Sequence, residues 1–285
     1  MKRTVFSLVL LLFTLSGMAQ VRPEGFIGLL PAIPSDVCGM SKTQQDEYLT
    51  KVEALSQQVK DEQKRRDDNI NANVESKKDA AMQYAANKQG ISQSDLEKIK
   101  SGKMSQAEMQ ALAGKMAQQQ MVAAGQANPA KLQNDKSLYE LTMAQKHLND
   151  SLNTIISKFA KEFETIDNDP ERQKMLDNID KLNGEIGQTM GLASNSSKEL
   201  SDKLEKEKIK YCNTFSPRYL SLLRRYESFT KASLPAYYRL EAISNQLTKI
   251  QAGMPYSTEP GGMGIGSVGG YLSQLAGIFK YVINR

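Results

Sequence analysis

The chain has 285 residues, two Cys, one His and no Trp, with 37 Lys and Arg against 32 Asp and Glu for a net charge of +5. The basic residues are interleaved with acidic ones, which argues against nucleic acid as a partner. A single His and two distant Cys exclude an ordinary zinc site.

Aromatic residues make up 7% of the chain. Long stretches of Gln, Asn, Ser, Lys, Glu and Ala favour helices that bury narrow stripes over a thick core.

The first residues read as a secretory leader. Lys2 and Arg3 precede an apolar run from Val5 to Leu15, and Gly17-Met18-Ala19 offers small residues for cleavage. Cleavage after Ala19 would remove residues 1–19 and leave 35 cationic against 32 anionic residues, a net charge of +3. The expected location is the periplasm, the outer envelope or the extracellular space. No second apolar run is long enough to span a bilayer.

Residues 20–40 hold Pro23, Pro31 and Pro34 among apolar side chains and are expected to run extended, as a strap. From 42 to 89 the pattern predicts one long helix, opened by a Ser41–Gln44 capping box. Tyr48, Val52, Leu55 and Val59 form its stripe. The ten residues from Lys60 to Asn69 lack an apolar side chain and are expected to project into solvent.

Gly90 ends that helix. Two short helices are predicted at 93–100 and 105–123, started by Ser92/Asp95 and Ser105/Glu108. They form a methionine-rich hairpin inserted at 90–127, with Met104, Met109, Met116 and Met121. Methionine at helical spacing serves as core filler or as an adaptable contact surface.

Asn128-Pro129 begins the most periodic segment. A heptad frame over Leu138, Leu141, Gln145, Leu148, Leu152, Ile155, Phe159, Glu162 and Ile166 has seven apolar positions of nine, which predicts coiled-coil packing. The expected partners of this stripe are the helices at 42–88 and 171–215. Asp169-Pro170 restarts a helix, and a turn is expected at 191–195. Pro217 and Pro235 are expected to divide the remainder into pieces at 197–215, 217–231 and 235–251.

The segment 253–270 has seven glycines in eighteen residues and reads as a flexible linker. Residues 271–285 follow as a short apolar helix. Leu272, Leu275, Ile278, Phe279 and Val282 would either dock on the bundle or meet a protein partner or a membrane surface.

Cys38 and Cys212 are expected to pair in an oxidising compartment. An up-down-up-down order of the helices would bring them to one level, with their Cα atoms about 4.4–6.8 Å apart.

Gly264-x-Gly266-x-x-Gly269 matches the dinucleotide fingerprint by letter, but no strand precedes it. His147 has no nucleophile arrangement around it. No catalytic constellation and no cofactor are expected.

The fold class is therefore all-α: an elongated antiparallel bundle or coiled coil over 41–252, the inserted hairpin, and a C-terminal apolar helix. The recipe of a cleaved leader, a basic chain and long amphipathic helices is similar to that of Skp-type periplasmic holdase chaperones. That similarity is one of composition and transfers no residues. The expected function is that of an exported, non-enzymatic binding or scaffold protein of the envelope, acting on a protein partner or on itself. The alternatives are a membrane-active protein using the C-terminal helix, and a periplasmic holdase.

Overall fold

The computed structural model describes residues 21–88, 91–125, 129–189, 195–252 and 259–280. The leader, the cap at Asn128, the turn at 191–194 and residues 253–258 and 281–285 lie outside the described residues. Among the described residues there are nine α-helices and no strand, so the chain is all-α.

The strap is not wholly extended. Pro23–Gly28 is a short helix, α1, with Pro23 in its first turn, where the fixed φ of proline favours helix and its missing N–H costs nothing. Phe26 and Val37 bury the strap at its two ends. Tyr48 donates to the Pro31 carbonyl, and Arg224 donates to that of Pro34.

Helix α2 runs Lys42–Lys88 and would measure about 70 Å at 1.5 Å per residue. Ser41 and Gln44 cap it reciprocally, as the sequence predicts. Helices α3 (Gln93–Lys100) and α4 (Gln106–Gly125) follow, with Ser92 and Ser105 as caps.

Helices α5 (Pro129–Asp167) and α6 (Pro170–Thr189) are joined by a two-residue break at Asn168-Asp169. Helices α7 (Asn195–Ala232) and α8 (Leu234–Ala252) meet at Ser233. The Ser233 amide bonds to the Phe229 carbonyl and its own carbonyl accepts from Tyr237, so the helical ladder carries across the junction.

These four helices form one long antiparallel pair. Gln145 faces Ser244, Leu152 packs with Tyr237 and Leu240, and Phe159 packs with tilted rings against Phe229 and Tyr226. Further along, Glu162 meets Arg225, Asp167 meets Tyr219 and Asp169 meets Arg218. A groove lined by Asn178, Leu182, Glu185, Lys203 and Lys206 continues the same register.

Three expectations are corrected here. First, α6 does not climb back beside α5. It prolongs α5 past a proline break, and α7–α8 is the return strand of both. Second, among the described residues the α5 stripe packs on α8 and the second half of α7, in place of 42–88 and 171–215. Leu152, Phe159, Phe163 and Ile166 are the buried seam, whereas Ile155 is 41% exposed. Leu152, Phe159 and Ile166 keep the seven-residue spacing of the frame, whereas its other position shifts by one residue, to Phe163 in place of Glu162. Third, Pro217 lies inside α7 without ending it. Pro217 itself is exposed. Buried Tyr211, Phe215, Tyr219 and Leu220 hold the helix on both sides of it, against a cost of about 3 kcal/mol.

The largest correction concerns the glycine-rich stretch. Gly262–Ile278 is a single helix, α9, which takes in the second half of the expected linker. It lies antiparallel to α2, with Tyr48 against Phe279, Val59 against Gly269 and Gln63 against Gly266. On its other side it lies antiparallel to α7–α8, with Glu241 at Gly261, Leu234 at Gly264 and Tyr226 at Tyr271.

The energetics explain why this stretch folds. Six glycines in a helix cost about 0.5–1 kcal/mol each. Ile265, Val268, Tyr271, Leu272 and Leu275 are all 0% exposed, and full burial stabilises by about 1.5–3 kcal/mol per side chain. Burial exceeds the helix penalty. The glycines also let the neighbours approach. A Cβ at Gly264 would lie 3.0 Å from both Leu234 and Pro23.

Cys38 and Cys212 form the expected disulfide, with Cα atoms 5.8 Å apart. They meet for a reason other than the expected one. Helices α2 and α7–α8 are both antiparallel to α9, so they run parallel to each other. The residues before α2 therefore start level with the middle of α7.

Candidate interaction site

The structure places the predicted contact residues of the C-terminal helix inside the protein. Leu272 and Leu275 are fully buried, Phe279 is 1% exposed and Ile278 6%. They join the main core with Val52, Leu55, Leu223 and Tyr226, and do not form an outward contact face. Val282 lies outside the described residues. Gly264, Gly266 and Gly269 sit on a packed helix, where Leu234, Pro23, Gln63 and Val59 fill the space a phosphate would need. His147 is exposed on α5.

The charged decapeptide of α2 is solvated on one face, with Lys60, Asp61, Lys64, Asp67, Asp68 and Asn69 exposed, but it buries Glu62 and Arg66 in an ion cluster on the other. Arg66 is 4% exposed and Glu62 9%. The Arg66 Nε donates to Glu62 at 2.8 Å. Its Nη1 donates to the carbonyls of Glu259 and Pro260 at 3.0 and 3.1 Å, and its Nη2 to that of Val21 at 3.0 Å. Arg65 spans Glu62 and Glu259, and Asn69 also donates to Glu259. One buried guanidinium thus ties the strap, α2 and the lead into α9.

The hydrogen bond from Arg65 is the main reason that both Glu62 and Glu259 are held below their ordinary value of 4.5. Beside this cluster Glu241 of α8 caps α9 from outside. Its two oxygens accept from the amides of Gly261 and Met263, each at 2.6 Å. These amides are among the orphan donors of a helix N-terminus, where a carboxylate is also favoured by the dipole. Gly261 adopts φ 101°, a left-handed conformation suited to glycine. All three guanidinium nitrogens of Arg66 are engaged within the protein, so the cluster works as a clasp.

The sequence carried a signal for this clasp. The stripe Tyr48, Val52, Leu55, Val59 continues at the same 4-3 spacing through Glu62 and Arg66. Charged residues at seam positions mark a buried pair. The partners Glu241 and Glu259 had no such local mark.

The hairpin α3–α4 presents the opposite situation. None of the side chains described from Ile91 to Met116 is buried. Ile99 is 44% exposed and Met109 54%. Met109, Leu112 and Met116 fall at i, i+3 and i+7 and share one face of α4. The hairpin is closed on itself by Lys98–Glu108 at 2.6 Å and by the Ser105–Glu108 box. This leaves an apolar helical face attached to a clasped body.

Among the described residues no group of three or more His, Cys, Asp or Glu is placed to hold a metal ion, and no helix is long and apolar enough to cross a membrane. No known protein family, curated protein or solved structure matches the chain.

Proposed function

We propose that this is an exported, non-enzymatic helical binding protein of the cell envelope, a scaffold that offers the hairpin 93–125 to a protein partner. The observation that carries the reading is the exposure of Met109 and Ile99, at 54% and 44%, on a hairpin without a buried side chain among those described. An exposed apolar surface on an otherwise ordered protein marks a contact site, and methionine adapts to varied partners.

Export is supported by the leader pattern and by Cys38 and Cys212 standing at disulfide distance, an arrangement typical of oxidising compartments. The membrane-active alternative loses support, because four of its five contact residues are core. Exposed methionine also favours, as a second reading, a holdase that shields unfolded clients.

A photo-reactive amino acid at position 109, in the cells that make the protein, tests the proposal. A second probe at Ser157, on the solvent face of α5, serves as the control. Discrete protein adducts at 109 and none at 157 are expected. Equal labelling at both sites, or none at 109, would contradict it. A smear of many adducts at 109, with suppression of client aggregation in vitro, would select the holdase.

A further inference from the structure

The hairpin surface is described by charge as well as by apolar character. Glu108 is the only acidic residue of α4, and it is turned onto Lys98 and the Ser105 cap. Lys103 and Lys115 remain exposed. Lys115 directly precedes Met116, and Lys103 stands at the approach to α4. The apolar face Met109–Leu112–Met116 therefore has Lys115 at its border on α4, Lys103 just before the helix, and no free carboxylate on α4 itself.

The i, i+3, i+7 spacing fits the seam of a helix–helix contact, in which a partner helix lays its own apolar stripe against these knobs. Charge of the opposite sign at the border steers and registers such a contact. We propose that this face of α4 is the docking seat for an acidic amphipathic helix of a partner protein. The inference rests on the binding reading above and names the chemistry of what is bound.

Met109 projects outward, so its replacement leaves the clasped body intact. The chain from residue 20 is used with its disulfide formed. Two labelled synthetic helical peptides serve as probes, both with Leu at heptad positions a and d. One carries Glu at the flanking positions and the other Lys, and binding is followed by fluorescence anisotropy.

The acidic peptide is expected to bind at least about tenfold more tightly than the basic one, and to weaken with salt. Met109→Glu should lower its affinity by about tenfold or more. Lys103→Glu combined with Lys115→Glu should reverse the preference to the basic peptide. Circular dichroism checks that each variant keeps its helix content.

Equal binding of both peptides, binding of neither, or indifference to Met109→Glu would overturn the inference. So would sedimentation showing a dimer that Met109→Glu dissociates, since the occupant would then be a second copy. Binding to phosphatidylglycerol vesicles that Met109→Glu abolishes would overturn it in favour of a lipid surface. Photo-adducts at 109 together with failed peptide binding would leave the binding reading standing and remove only this inference.

Discussion

Gly269 of α9 lies so close to Val59 of α2 that a Cβ added to it would sit 3.2 Å from the Val59 Cγ1. This contact turns a glycine-rich sequence from a spacer into a packing surface. Helix α9 fills the space between α2 and α7–α8, and the small face is what lets it fit.

Overpacking of that contact should therefore be costly. Gly269→Leu is expected to destabilise the protein by about 1–3 kcal/mol. Gly277 on the same helix has nothing within 4 Å of an added Cβ. Gly277→Ala should hold or raise stability, since alanine is the better helix former. Urea denaturation of the two variants checks this. Equal effects at both positions would show that α9 is not packed as described.

Removal of the Arg66 guanidinium should loosen three segments at once. Arg66→Met leaves the carbonyls of Val21, Glu259 and Pro260 without their donor and Glu62 with Arg65 alone. A loss of about 3 kcal/mol is expected, the size seen when one partner of a buried pair is deleted. Limited proteolysis should then cut first in the strap. A melting temperature equal to that of the wild type would show that the cluster is solvated.

The carboxylates give the clasp a pH dependence. Glu62 and Glu259 are both held below 4.5 in the folded protein, chiefly by hydrogen bonds from Arg65. The unfolded chain takes up these protons first as the pH falls. The stabilisation is thus complete above pH 4.5 and is lost as the pH drops below it towards the folded values. Melting temperatures should decline on acidification below that point, and Glu259→Gln should make the decline shallower. An identical acid profile for the variant would remove Glu259 from the account.

The disulfide closes a separation of 174 residues. In the chain-entropy model such a loop contributes about 5 kcal/mol, an upper value for what Cys212→Ser or reduction removes. Thermal unfolding with and without reductant measures it. The strap has other anchors, so helix content should survive reduction at room temperature. No change in melting temperature would contradict the bond.

The sequence shows local structure more clearly than it shows partners. Caps at Ser41, Ser92, Ser105 and Asp169 depend on neighbours a few residues away, and the helix starts they predict are found. The buried run Tyr48, Val52, Leu55, Val59 was legible for the same reason. The proline rule failed at Pro217, because distant aromatic contacts outweigh a local penalty. Composition failed at 262–270, because glycine signals flexibility in isolation and close approach in a packed helix. At Asp169-Pro170 the cap and proline mark a helix restart, but nothing local tells a restart in line from a reversal. The helices Gln93–Lys100 and Gln106–Gly125 follow from their caps, but whether their methionines are core or surface depends on what lies opposite them, and no local pattern encodes that.

The chain divides into a clasped body with α9 at its centre and a hairpin with no buried side chain among those described, and amide hydrogen exchange on the intact oxidised protein tests that division directly. Backbone amides in tightly packed elements exchange only through large openings, whereas those in thinly packed ones exchange through local openings. The account predicts that amides from Ile265 to Phe279 are among the slowest in the protein and that those of 93–116 are among the fastest helical ones. Rapid exchange throughout α9, or a hairpin protected as strongly as the first half of α2, would contradict it.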